Sequence, residues 1–149
     1  MADETTRDAY GETTVRVVSG VVLELLSRRH VSRANATGMF ERAGAALHAH
    51  PEVRAVLFET SEHSGHDPGN LAMAIRWFQE QGAQLARVAL VTRSHALATM
   101  SNVGRVMLPR LDVAVFSSRE EALVWCAAAA PTAAPARQRT GKHRRPNAA

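Results

Sequence analysis

Apolar residues along the chain fall into short blocks that switch between two spacings. From Thr14 to Leu26 β-branched and aliphatic residues are dense and are interrupted by Ser19-Gly20, a pair suited to a tight turn. This predicts strands over 14–18 and 21–26 joined as a hairpin. Ser32 is placed to cap a helix whose apolar positions Ala36, Met39, Phe40, Ala43 and Leu47 recur at three and four, and Pro51 stops it. Val53 to Phe58 is a short apolar run with one polar position, as in a strand covered on both faces. A polar loop is expected over 59–70. Leu71, Ala74, Ile75 and Phe78 then form one face of a helix over 71–81 that Gly82 ends, with Met73 and Trp77 widening the face.

The same alternation continues to the end of the patterned region. Val88 to Val91 predicts a strand. Ser94 is the natural N-cap of a helix carrying Leu97, Met100, Gly104 and Met107 and ending at Pro109. Val113 to Phe116 predicts the last strand, and Ser118 with Glu121 forms a capping box opening a helix that buries Ala122, Leu123 and Cys126. Two strands, a helix and three strand-helix units define an α/β domain. Its mixed, mostly parallel sheet has about five strands, with an N-terminal hairpin and four covering helices. Residues 1–13 lack apolar periodicity and read as a flexible leader, 14–130 as the folded domain, and 131–149 as a disordered basic tail.

Composition alters this picture in three places. The net charge of +4 is uneven, because Arg137, Arg139, Lys142, Arg144 and Arg145 take five of the 18 basic residues and leave 13 against 14 acids elsewhere. The body is therefore near neutral, and the tail offers charge to an acidic protein or a nucleic acid. The single cysteine, Cys126, excludes an internal disulfide. An acidic, polar N-terminus and the lack of a long apolar run predict a cytoplasmic chain with no membrane span.

In a parallel sheet, partners and ligands meet the loops beyond the carboxyl ends of the strands, where helix N-termini converge. Of the loops 59–70, 92–96 and 117–118, the first is longest and the most polar. Its His63, His66 and Asp67 have the chemistry of metal ligands, but two imidazoles and one carboxylate without a cysteine fall short of the usual zinc set. Asp67-Pro68-Gly69 reads more simply as a turn into the next helix. No G-x-S-x-G elbow and no glycine-rich phosphate cradle is present, so no catalytic residue, metal or cofactor is assigned. Ser94 beside His95 reads as a helix cap. His48 and His50 suit the negative end of a helix dipole. Trp77 and Trp125 are expected at the core or its boundary rather than in an exposed docking patch.

The order of elements over Thr14 to Ala130 resembles the STAS family, the domain shared by anti-sigma-factor antagonists and sulphate transporters. In that family the third strand leads to a loop ending in Asp-Ser-x-Gly-Leu, whose serine is phosphorylated. The present chain reads Asp67-Pro68-Gly69-Asn70-Leu71 there, so Asp67 and Leu71 match and Pro68 stands in place of the phosphoacceptor. Thr60, Ser61 and Ser64 are the neighbouring hydroxyls. The resemblance implies a non-enzymatic bacterial signalling or scaffolding module that binds a protein partner. The expected contact surface is the 59–70 loop and the following helix, with Glu62, His63, His66, Asp67 and Asn70 as contact residues. Self-association as a homodimer stays open. The alternative is a small carrier or sensor of an apolar ligand held between helices and sheet.

Overall fold

The computed structural model of the chain describes residues 3–129. Six strands form one sheet in sequential order, β1 (Glu4–Arg7), β2 (Gly11–Val18), β3 (Val22–Val31), β4 (Ala55–His66), β5 (Arg87–Val91) and β6 (Asp112–Phe116). β1, β2 and β3 pair antiparallel, and β3 to β6 pair parallel. The helices are α1 (Arg33–Ala49), α2 (Asn70–Gln81), α3 (His95–Met107) and α4 (Arg119–Ala127). This is the mixed α/β architecture that the pattern predicts, with one strand more.

Each parallel step from β3 to β6 needs a crossover helix, and crossovers of one hand put α1, α2 and α3 on the same face. There Leu23, Leu25, Val56 and Val88 meet Met39, Phe40, Ala43, Leu47, Trp77 and Phe78. α4 has no further strand to reach and folds onto the other face, where Ala122 and Cys126 pack on Val22, Ala55, Leu57, Ala89 and Val91. Burial pushes the Cys126 thiol up to about 12, so it stays protonated and behaves as a small apolar group.

One charge lies under α4. Glu24 on β3 is fully buried, and its carboxylate receives Arg16 of β2 on one oxygen and Arg119 Nε at 2.6 Å on the other. A buried carboxylate is tolerated only when so paired. The pair raises the affinity of the Arg119 guanidinium for its proton and fixes the start of α4 against the sheet.

Three capping serines act as the sequence predicts: Ser32, Ser94 and Ser118 accept from the amides of Asn35, Leu97 and Glu121. Trp77 is buried against Phe40 and Phe78. Trp125 is half-buried between Phe116 and the Arg87 guanidinium, which lies 4.8 Å above its ring. His50 pairs with Glu52 at 3.2 Å.

Two expectations are corrected. Residues 4–13, read as a leader, contain β1 and the start of β2. They are held by backbone pairing and by polar contacts to α1: Thr13 donates to the buried Asn35, and Arg42 reaches Thr6 and Thr13. Periodicity misses this because the anchoring groups are threonines and an asparagine rather than apolar side chains. The stretch 59–70, read as a loop, is largely strand, since β4 runs to His66. The basic segment 131–149 lies outside the described residues.

Gly11 is the tightest backbone approach in the antiparallel half. It pairs with Arg29, whose φ of 61° marks a left-handed kink in β3, and a Cβ there would lie 2.4 Å from the carbonyl oxygens of both Arg28 and His30. Gly20, at φ 67° in the β2–β3 turn, has open space around it. Gly11→Ala is therefore expected to lower stability by about 1–3 kcal/mol through forced separation of β2 from β3. Gly20→Ala should cost only about 1 kcal/mol of backbone strain. Urea unfolding of the two variants checks the order.

Candidate functional site

The polar stretch after Phe58 can be a strand because β3 continues beside it and offers its backbone to it. β5 pairs with β4 only as far as Glu59↔Val91, whereas β3 continues alongside through Val31↔His66. β3 and β4 thus run past β5 and β6 as a parallel ribbon, flanked on its other side by β2, which stays paired to β3 as far as Gly11↔Arg29. Thr60 marks the departure, its hydroxyl donating to the Val91 carbonyl at 2.6 Å.

The register along this ribbon slips twice. Between Leu26↔Glu59 and Arg28↔Glu62, and again between Arg29↔His63 and His30↔Gly65, β4 advances one residue more than β3. Each extra residue is a bulge, and a bulge reverses which side the following side chains take. Thr60, His63 and His66 are three apart, a spacing that in a regular strand alternates faces, yet all three line the same cavity.

His63 and His66 sit with ring centroids 5.4 Å apart and His63 Nε2 3.2 Å from His66 Nδ1. On its other side, His63 Nδ1 is 3.3 Å from the Ser27 hydroxyl. A hydroxyl that donates to His63 Nδ1 and an Nε2–H that donates to His66 satisfy the chain with neutral rings. Burial, and then the neighbouring His66 and His30, lower the His63 pKa to about 4, so this ring is uncharged near neutrality.

Asp67 closes the ribbon. Its Oδ1 lies 2.7 Å from His30 Nε2, its Oδ2 accepts from the Arg33 amide at 2.9 Å, and its own amide donates to the Val31 carbonyl at 3.1 Å. One carboxylate therefore joins the end of β4 to β3 and to the open N-terminus of α1, where negative charge is stabilised by the helix dipole. The contact to His30 and the Arg33 amide hold its pKa below the ordinary value. Asp8 works similarly from the other side, accepting from the amides of Tyr10 and Gly11 and from the Ser32 hydroxyl. Gly65 lets this arrangement close, since a Cβ on it would stand 3.1 Å from His30 Nδ1.

Of the five expected contact residues, Glu62 is exposed and paired with Arg28 at 2.8 Å. His63 and His66 are half-buried and face inward, Asp67 is occupied by His30 and α1, and Asn70 is buried at the first turn of α2. Among the described residues no group of three His, Cys, Asp or Glu side chains is placed to hold a metal ion. Of the hydroxyls beside Pro68, Thr60 is buried and engaged, while Ser64 is exposed. His30, Ser27 and Arg33 belong to the site and escape a reading of the 59–70 stretch alone. Ser27 and His30 enter it from β3, which runs beside β4, and Arg33 through its amide at the start of α1.

Above His63 and His66 the three crossover helices leave a cavity of about 190 Å³. α1 packs against α2, whereas α3 rests mainly on β6, so a gap opens between α2 and α3. Its walls are almost wholly apolar, among them Phe40, Phe58, Ile75, Phe78, Leu97 and Met100. Ser27, Thr60, His63, His66 and Asn70 contribute the polar groups at the end where the strands finish.

Fold and site together describe a SpoIIAA-like domain. That family matches residues 22–127, and the chain belongs to it. Its structure is similar to that of an uncharacterized protein with a SpoIIAA-like fold from Shewanella loihica, with TM-score 0.61 and 13% identity over 85% of this chain and 96% of that one. It is also similar to the anti-sigma factor antagonist SpoIIAA in its unphosphorylated form, with TM-score 0.55 and 12% identity over 79% of this chain and 98% of that one. For the phosphorylated form of the Bacillus cell fate determinant SpoIIAA the TM-score is 0.54 and the identity 13%, over 76% and 97% of the two chains. At such identities the likeness is one of fold. No curated protein matches the sequence significantly. SpoIIAA-like proteins are generally non-enzymatic regulators. No helix among the described residues is long and apolar enough to cross a membrane.

The His63 environment sets a pH response. An unfolded chain binds a proton at this ring from about pH 6.5 downward, while the folded chain resists until about 4. Stability due to the neutral buried ring is therefore complete above 6.5 and is lost as the pH falls toward 4. The expected loss is about 1–2 kcal/mol, once solvent screening of a half-exposed ring is allowed for. Denaturant unfolding at pH 7 and pH 4.5 should show it in the wild type and a flatter profile in His63→Gln.

Proposed function

We propose that this chain is a non-enzymatic regulatory module that docks a protein partner on the corner between β4 and α2. The observation that carries the reading is the fixed shape of that corner. Asp67 ties it to His30 and to the α1 N-terminus, while Glu62, Pro68 and Gly69 stand exposed on it. A surface held in this way loses little conformational freedom on binding, which favours recognition. SpoIIAA itself is known in phosphorylated and unphosphorylated forms. In the SpoIIAA-type pattern the phosphorylated serine falls where this chain has Pro68, which has no hydroxyl, so docking here is not switched by phosphate at that position. Glu62, His63, His66, Asp67 and Asn70 divide the work: Glu62 meets the partner, and the other four shape the backbone beneath it.

The cavity between α2, α3 and the sheet favours a second reading, in which the module carries or senses an apolar ligand. A concave apolar chamber with a few convergent polar groups is the usual form of a small-molecule site.

A photo-crosslinking residue placed at Glu62 or Ala72, both exposed near the corner, and at Val124 on the opposite face distinguishes the docking surface. In the native cell the first two positions should trap the same protein and Val124 should not. Crosslinks confined to Val124, or none at the corner, contradict this placement.

A further inference from the structure

The cavity has a chemistry that narrows its occupant, on the reading that the module takes a small ligand. A volume of about 190 Å³ exceeds the roughly 150 Å³ that accommodates benzene in an engineered apolar cavity. One substituted ring, or an aliphatic molecule of that size, fills it. None of the lining residues is Lys, Arg, Asp or Glu. An ionised ligand would enter without a countercharge, which apolar surroundings penalise heavily.

The lining nevertheless asks for one hydrogen bond. Asn70 is 8% exposed, its Nδ2 donates to the Val31 carbonyl at 3.0 Å, and its Oδ1 has no donor among the described residues. A buried carbonyl of this kind left without a donor is costly, and a ligand hydroxyl or N–H supplies what it lacks. Thr60 at this end is engaged with the Val91 carbonyl, Ser27 with His63 Nδ1, and His63 Nε2 with His66 Nδ1. The far end, with Phe78, Val88, Leu108 and Val113, is apolar throughout. The chamber is thus polarised, with a buried, unpartnered acceptor at one end and hydrocarbon at the other.

We infer that the cavity between α2, α3 and the sheet binds a small, uncharged, mainly apolar molecule bearing one hydrogen-bond donor, with the donor on Asn70 Oδ1 and the apolar body between Phe58, Ile75, Phe78 and Met100. An alcohol or a phenol of about ten heavy atoms meets the description. A fatty carboxylate does not. Because the chamber is walled by α2, the helix that leads away from the β4–α2 corner, its filling also supports the docking surface from beneath.

Three probes that share the ethylphenyl body test the assignment on the full chain: 4-ethylphenol, ethylbenzene and 4-ethylbenzoate. Binding is followed by calorimetry and by the methyl resonances of Met39 and Met100, which line the cavity, with exposed Met107 as control. The expected result is that 4-ethylphenol shifts Met39 and Met100 but not Met107, and binds about tenfold more tightly than ethylbenzene. The ionised 4-ethylbenzoate should be weaker than either. In Asn70→Leu the advantage of the phenol over ethylbenzene should vanish. Ala74→Leu, which places extra carbon in the chamber, should remain folded and bind none of the three.

Equal binding of phenol and ethylbenzene would overturn the Asn70 assignment while leaving an apolar-ligand module in place. Tightest binding of 4-ethylbenzoate would overturn the neutrality of the site. Failure of all three to move the Met39 and Met100 methyls, or undiminished binding by Ala74→Leu, would overturn both the assignment and the ligand-binding reading.

Discussion

The structure of the functional end depends on one carboxylate. Asp67 accepts from His30 and from the first amide of α1, and its backbone amide donates to the last residue of β3. Beyond Glu59, where β5 stops pairing with it, β4 has β3 as its pairing strand, and these contacts anchor the end of that pairing. With them, a polar segment that has little to bury becomes a strand. The opening of α2 is then set by where that strand ends.

The position of α2 in turn decides what lies beneath the helices. α1 and α2 close over the centre of the sheet through Phe40, Trp77 and Phe78, while α3 is drawn outward to β6. The space between them is neither filled by a large side chain nor reached by a charged one. On the other face the opposite solution holds. α4 lies on Val22, Ala55, Leu57, Ala89 and Val91, and the fully buried Glu24 is paired with Arg16 and Arg119. One face is thus a closed structural layer and the other encloses a chamber.

How much of this can be read in the sequence follows from which interactions each part uses. α1, β5, α3, β6 and α4 are legible because apolar periodicity and serine caps place them, and the structure agrees within a few residues. The hairpin of β2 and β3 is legible as well, but β1 and the first residues of β2 are not, because they are secured by backbone pairing and by Thr13, Asn35 and Arg42. The outer half of β4 fails for a sharper reason. Two bulges break the period of two that identifies a strand, so Thr60, His63 and His66 look like scattered loop residues although they share one side. The site residues on 59–70 are visible as a polar cluster, but their inward direction and their partners Ser27 and His30 depend on register. Pro68 is legible as part of the turn that leads into α2.

Amide hydrogen exchange along β4 tests the account most directly. If Asp67 pins a bulged strand, the amides at 65–67 in the wild type exchange far more slowly than an open loop, and Asp67→Ala releases them while 55–59 stay protected. Exchange of 60–67 at unstructured-loop rates in the wild type, or no change at 65–67 in the variant, would contradict it.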